Sequence, residues 1–130
     1  MPNVVFFSFK EEDRDVVATI KGRAINSNYS ALNFRVRDLL KRWDTEATSV
    51  IRGAISQKLN GTSRTIVFVG DNTHQSYWVP QEVQMTLEAD KPVYAMRLRD
   101  TNGRIPNCLS ENNIHVYQWS ETKLQELATR

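Results

Sequence analysis

Residues 65–89 read TIVFVGDNTHQSYWVPQEVQMTLEA, and the fold follows from how this stretch is parsed. Thr65–Val69 is a β-branched apolar run too short for a helix, which reads as a strand buried on both faces. Gly70, Asp71, Asn72 and Thr73 have the composition of a turn, expected to end the strand and leave backbone groups free to meet a ligand. Ser76 offers a helix N-cap, and Pro80 is tolerated because first-turn amides have no intrahelical acceptor. Val79, Val83 and Leu87 then repeat every four residues as a buried helix stripe. Trp78 and Glu82 share that spacing on the neighbouring stripe, one turn apart. Glu82 is read as standing on an exposed face beside the core.

Outward from this unit the chain alternates strands and helices. Val4–Phe9 is a second apolar run, read as the first strand, and Glu11, Glu12 and Asp13 suit the start of a helix. Val16 or Val17, with Ile20 and Ala24, gives that helix its stripe, and residues 26–30 (Asn-Ser-Asn-Tyr-Ser) break it. Leu32, Phe34 and Val36 alternate with Asn33 and Arg35, the mark of an edge strand with one wet face. Residues 38–48 are compatible with a short helix or a structured loop. Val50, Ile51, Ala54, Ile55 and Leu59 restore helical spacing, with Asn60-Gly61 as the stop. Val93–Leu98 reads as a fourth strand, residues 99–113 as mostly loop, and Ile114–Trp119 as a short fifth strand. Ser120 caps a final helix with Leu124, Leu127 and Ala128 inward.

The bulk numbers exclude several classes. One domain spanning residues 1–130 is expected, since 130 residues, 40% hydrophobic and 25% charged, suit a single globular core. A formal net charge of +2 with scattered Lys and Arg gives no basic stripe for nucleic acid. The single cysteine, Cys108, allows no internal disulfide and no multi-cysteine metal site. Without an apolar span or a charged leader, a cytosolic location off the membrane is expected, which makes the two Asn-x-Ser/Thr sequons coincidental.

Strands separated by helical segments of this length call for a parallel sheet with helices on both faces, a three-layer α/β fold. The most apolar strands (first, third, fourth) belong in the centre and the alternating ones at the edges. Right-handed crossovers then give the order 2-1-3-4-5, the flavodoxin-like arrangement. In such sheets ligands settle beyond the strand carboxyl ends where the order reverses, here between the first and third strands. Ser8, Phe9 and Lys10 meet that point from one side and Gly70, Asp71 and Asn72 from the other. Trp78 and Glu82 leave from the same rim. Ser8 can supply a hydroxyl and Phe9 a ring to stack or to bury. Asn72 suits turn work or a ribose or phosphate contact, and Trp78 suits packing more than ligand contact.

The same residues carry a family resemblance. Phe6-Phe7-Ser8-Phe9 resembles the first-strand signature of TIR domains. Gly70-Asp71-Asn72-Thr73, then Ser76-Tyr77-Trp78-Val79 and Glu82, resembles the bacterial TIR-like branch typified by the Thoeris antiphage proteins. Lys91-Pro92-Val93 is similar to that branch's entry to the fourth strand, and the likeness runs from Val4 to about Leu98. The resemblance implies cleavage of the nicotinamide–ribose bond of NAD, which is a substrate, with no separate cofactor. It further implies release of a nucleotide signal such as a cyclic ADP-ribose isomer, a downstream effector protein that senses it, and self-association on activation. It assigns the catalytic role to Glu82. Losing nicotinamide leaves an oxocarbenium-like ribose that one carboxylate can stabilise, and the neutral leaving group needs no general acid. An Arg-Asp-x-x-Pro-Gly loop after the second strand and a Phe-Trp pair near the C-terminus, features of animal receptor TIR domains, are absent. A non-catalytic interaction module of the same fold is the competing expectation.

Three other readings are weaker. Asp71 as a metal ligand, in the manner of response-regulator receivers, would need an acid pair after the first strand and a lysine after the fourth. Glu11 and Glu12 come late for the pair, and Arg97 or Arg99 stands where the lysine belongs. His74 and His115 lack ligand spacing, and an isolated Cys108 is expected to be inert.

Overall fold

A computed structural model describes residues 4–25, 32, 34–38 and 48–130. Five strands, β1 (Val4–Ser8), β2 (Arg35–Arg37), β3 (Arg64–Val69), β4 (Val93–Arg97) and β5 (Val116–Tyr117), form one sheet. All four neighbouring pairs are parallel and the order is 2-1-3-4-5. Helices α1 (Arg14–Ile25), α2 (Thr48–Leu59), α3 (Trp78–Glu88), α4 (Asn107–Ser110) and α5 (Glu121–Thr129) cover it. The expected architecture and strand order are therefore present. The readings for residues 26–30 and 39–47 lie outside the described residues.

Alternation along the central strands divides the core into two layers. Val5, Phe7, Ile66, Phe68 and Met96 pack with Val17, Ile20 and Ala24 of α1 and Leu124, Leu127 and Ala128 of α5. Phe6 faces the other way, against Ile51, Ala54, Ile55, Leu59 and Trp78. Val67, Val69 and Ala95 take that same side, against Val79 and Val83 of α3 and Leu109 of α4. Every residue of β3 is buried, as a central parallel strand requires. At the β2 edge only Val36 is half-buried, while Leu32 and Phe34 just before it are buried in the α1 layer. The Val16 or Val17 alternative resolves to Val17, since Val16 is exposed.

Local signals act as expected at most boundaries. The Ser76 hydroxyl accepts from the Val79 amide and the Ser120 hydroxyl from the Lys123 amide, capping α3 and α5. Gly61, at φ 85°, ends α2. The end of α3 is a Schellman turn with Asp90 in the left-handed region: Asp90 donates to the Leu87 carbonyl and Lys91 to that of Thr86. Helix α4 replaces part of the expected 99–113 loop. Its four residues are set by tertiary burial of Leu109 and carry no periodic signal of their own. Among the described residues, no helix is long and apolar enough to cross a membrane.

Trp78 joins α3 to α2 and β1, and is 8% exposed. Trp78→Ala is expected to cost about 3–5 kcal/mol of unfolding free energy, read by urea denaturation, because the cavity lies where two helices meet the sheet. A loss below about 1 kcal/mol would mean that the indole is not a core residue.

Candidate functional site

Ser8 is the last residue of β1, opposite Val67 of β3 in the parallel register. Phe6 and Ser8 share a strand face, so Ser8 points toward α3. There its hydroxyl donates to Glu82 Oε1 at 2.7 Å, and both residues are completely buried. The expected exposed face for Glu82 is thus wrong. The stripe that carries Trp78 and Glu82 turns inward, because α2 packs along that flank of α3 and converts it to interior. A carboxylate in such a place must be hydrogen-bonded to be tolerated. Neutralising it is therefore no longer expected to be silent in stability.

The backbone of Glu82 is held separately. Thr86 Oγ1 donates to the Glu82 carbonyl at 2.7 Å, and Thr65 Oγ1 lies 2.7 Å from Thr86 Oγ1. With the single Thr86 proton so used, Thr65 is the donor of the second bond. Glu82 is consequently tied to β1 through its side chain and to β3 through its main chain, the two strands between which the sheet order reverses.

Above this pair the loops after β1, β3 and β4 close on one another. Glu12 accepts from the Asn72 side-chain amide at 2.9 Å and pairs with Lys10 at 3.2 Å. These contacts hold its carboxyl below the ordinary value, the Asn72 bond contributing most. The Asp71 carboxylate accepts from the Asn102 amide at 3.0 Å, and Arg97 donates to the Gly103 carbonyl at 2.8 Å. Two glycines permit the approach. A Cβ on Gly70 would fall 2.3 Å from an Asp13 carboxylate oxygen, and one on Gly103 would fall 2.1 Å from the Gly70 carbonyl oxygen. Of the turn's backbone groups, expected to be free for a ligand, the Gly70 amide donates to Thr73 Oγ1 at 2.7 Å.

The candidate residues are thus distributed over three settings. Ser8 and Glu82 meet in the interior. Asp71 and Asn72 lie on the rim, where their side chains link neighbouring loops; Asn72 bonds Glu12 across the crevice in place of nearby backbone. Phe9 is 1% exposed and belongs to the α1/α5 layer, on the opposite side of the sheet from Ser8, and Trp78 is packed against α2. A cleft of about 860 Å³ lies on the other flank of α3, lined by Pro80, Val83, Gln84 and Leu87 together with Pro106 and Cys108, and Glu82 does not line it. Burial pushes the Cys108 thiol up to about 11, so it stays protonated at neutral pH. Among the described residues no group of three His, Cys, Asp or Glu side chains is placed to hold a metal ion.

Asp13 has no clear signal in the sequence beyond its place in a run of acids. Its Oδ2 is buried with no hydrogen-bond partner. Burial first, then the charges of Glu12 and Asp71, raise its pKa, with Lys10 opposing. An acid raised in the folded state binds protons more tightly there than in the unfolded chain, so it costs stability as pH rises through that interval. Asp13→Asn is expected to raise the melting temperature at pH 7. The difference should shrink as pH falls from the raised folded-state value toward about 4, the ordinary value, and stay constant below it, where Asp13 is protonated in both states. A difference that is constant with pH would remove the ionic explanation.

Comparison with known proteins places the chain in a family. The profile described as Thoeris protein ThsB, TIR-like domain, matches residues 6–103. The chain belongs to this Thoeris TIR-like family. No curated protein matches it. Among solved structures, the TIR domain of the Toll-related receptor TRR-2 from Hydra magnipapillata superposes with a TM-score of 0.63 at 17% identity, covering 95% of this chain and 90% of that one. At that identity the likeness speaks for the fold alone.

Proposed function

We propose that this TIR-like domain cleaves the nicotinamide–ribose bond of NAD, with Glu82 as the catalytic carboxylate. The observation that carries the reading is the buried Ser8–Glu82 pair at the point where the strand order reverses, with an oriented carboxylate beneath the loops after β1 and β3. In the proposed step the C1′–N bond breaks and its electron pair leaves with neutral nicotinamide. The Glu82 carboxylate stabilises the positive ribose or holds its hydroxyls. Attack at C1′ by water, with loss of a proton, yields ADP-ribose; attack by a nucleophile of the same nucleotide yields a cyclic isomer, the signal that a downstream effector protein would sense.

Because Glu82 is fully enclosed, the loops joined by Glu12 and Asn72 must part to admit substrate. This describes a latent resting enzyme whose activity rises on self-association. The same enclosure favours a second reading, in which Glu82 is a structural acid and the domain is a non-catalytic interaction module.

Nicotinamide release from NAD, measured chromatographically across a range of protein concentrations, separates the two. The enzymatic reading expects release that rises more than in proportion to concentration, and a drop of about 10²–10³ in Glu82→Gln. Its amide oxygen can still accept from Ser8, so the variant should fold. Glu82→Ala, which leaves Ser8 without this acceptor, should additionally lose about 1–3 kcal/mol of stability. Release undiminished in a folded Glu82→Gln would return Glu82 to a structural role, and no release at any concentration would favour the interaction module.

A further inference from the structure

We infer that Ser8 is a positioning residue for Glu82 and donates no hydrogen bond to the substrate, an inference that rests on the NAD-cleaving reading above. Ser8 occupies a strand position whose same-face neighbour, Phe6, is a core aromatic, and it is completely buried. A buried hydroxyl needs a partner, and this one has a carboxylate oxygen at 2.7 Å, donating its only proton. That proton is spent on Glu82, which leaves the hydroxyl no hydrogen to offer a ribose or phosphate. The bond also joins sites 74 residues apart, the end of β1 and the second turn of α3, so it fixes the carboxylate relative to the sheet.

The main chain of Glu82 is anchored independently through Thr86 and Thr65. Removing the Ser8 hydroxyl therefore takes away one hold on the carboxylate without releasing the helix. A glutamate has three rotatable bonds, and a carboxylate that wanders among rotamers spends little time where charge develops in the reaction. Charge-assisted bonds of this kind are the stronger class and are well suited to hold one rotamer.

The test is a double-mutant cycle on the full chain, with steady-state nicotinamide release from NAD and thermal melting read on each protein. The proteins are wild type, Ser8→Ala, Ser8→Thr, Glu82→Gln and the Ser8→Ala/Glu82→Gln pair. The expected result is a kcat about 10- to 100-fold lower in Ser8→Ala with KM nearly unchanged, the range typical of residues that orient a reacting side chain. Ser8→Thr, which keeps the hydroxyl on a β-branched residue suited to a strand, should recover most of that loss. In the Glu82→Gln background Ser8→Ala should remove nothing further, because a residue that acts through the carboxylate has nothing left to act on.

A KM increase at constant kcat would overturn the inference in favour of direct substrate contact. An equal loss of kcat in both backgrounds would overturn it in favour of a general structural role, as would a loss that follows melting temperature across the set. Wild type inactive on NAD at every concentration would instead overturn the NAD-cleaving reading, and with it the role of Ser8 in that reaction. The two failures are therefore told apart by the wild-type control.

Discussion

β3 is buried from Arg64 to Val69, and a strand with no wet face has to be covered on both sides. That constraint sets the rest of the molecule. Ile66 and Phe68 draw α1 and α5 onto one face, while Val67 and Val69 draw α3 and α4 onto the other, with α2 packed along α3. In the sheet, β1 lies on one side of β3 and β4 on the other. The strand order reverses between β1 and β3, which sets the place of the crevice at their carboxyl ends.

The loops above that crevice are unusually close. Gly70 is pressed by Asp13, and Gly103 by the backbone of Gly70 and Asp71, so three connections converge where a Cβ would obstruct them. Convergence brings three acids together, Glu12, Asp13 and Asp71, and the structure treats them differently. Glu12 is relieved by Asn72 and Lys10, and Asp71 accepts a backbone amide, whereas Asp13 keeps a buried oxygen unpartnered and a raised pKa. Burial first, and then its acidic neighbours, make Asp13 the least favourably placed of the three.

Family membership and structural likeness carry different weight here. The Thoeris match spans β1 through the loop after β4, the part of the chain that holds every candidate residue. The Hydra receptor domain shares the architecture at 17% identity, so the likeness extends to the fold alone. Chemistry is a separate matter from either, and rests on particular atoms at the switch point.

Sheet order, central and edge strands and most caps were legible in local pattern: Thr65–Val69 is uniformly apolar, Leu32 to Val36 alternates, and Ser76 and Ser120 precede helical stripes. The sequence also placed Ser8 and Glu82 at one rim, because topology brings the ends of β1 and β3 together whatever the side chains do. Which flanks of the helices became interior depended on packing between elements. Glu82 looked exposed because helical periodicity within α3 shows one apolar stripe; the second buried flank exists only because α2 lies against it. Phe9 looked like a neighbour of Ser8, yet strand alternation carries its ring into the opposite layer. The Gly70 amide was likewise taken by Thr73, and Asp13 was drawn from an acidic run into a buried contact with Gly70. Apart from Phe9, whose side alternation alone could have given, each of these depends on partners distant in sequence or on the folding of a loop, about which helical and strand periods contain no information.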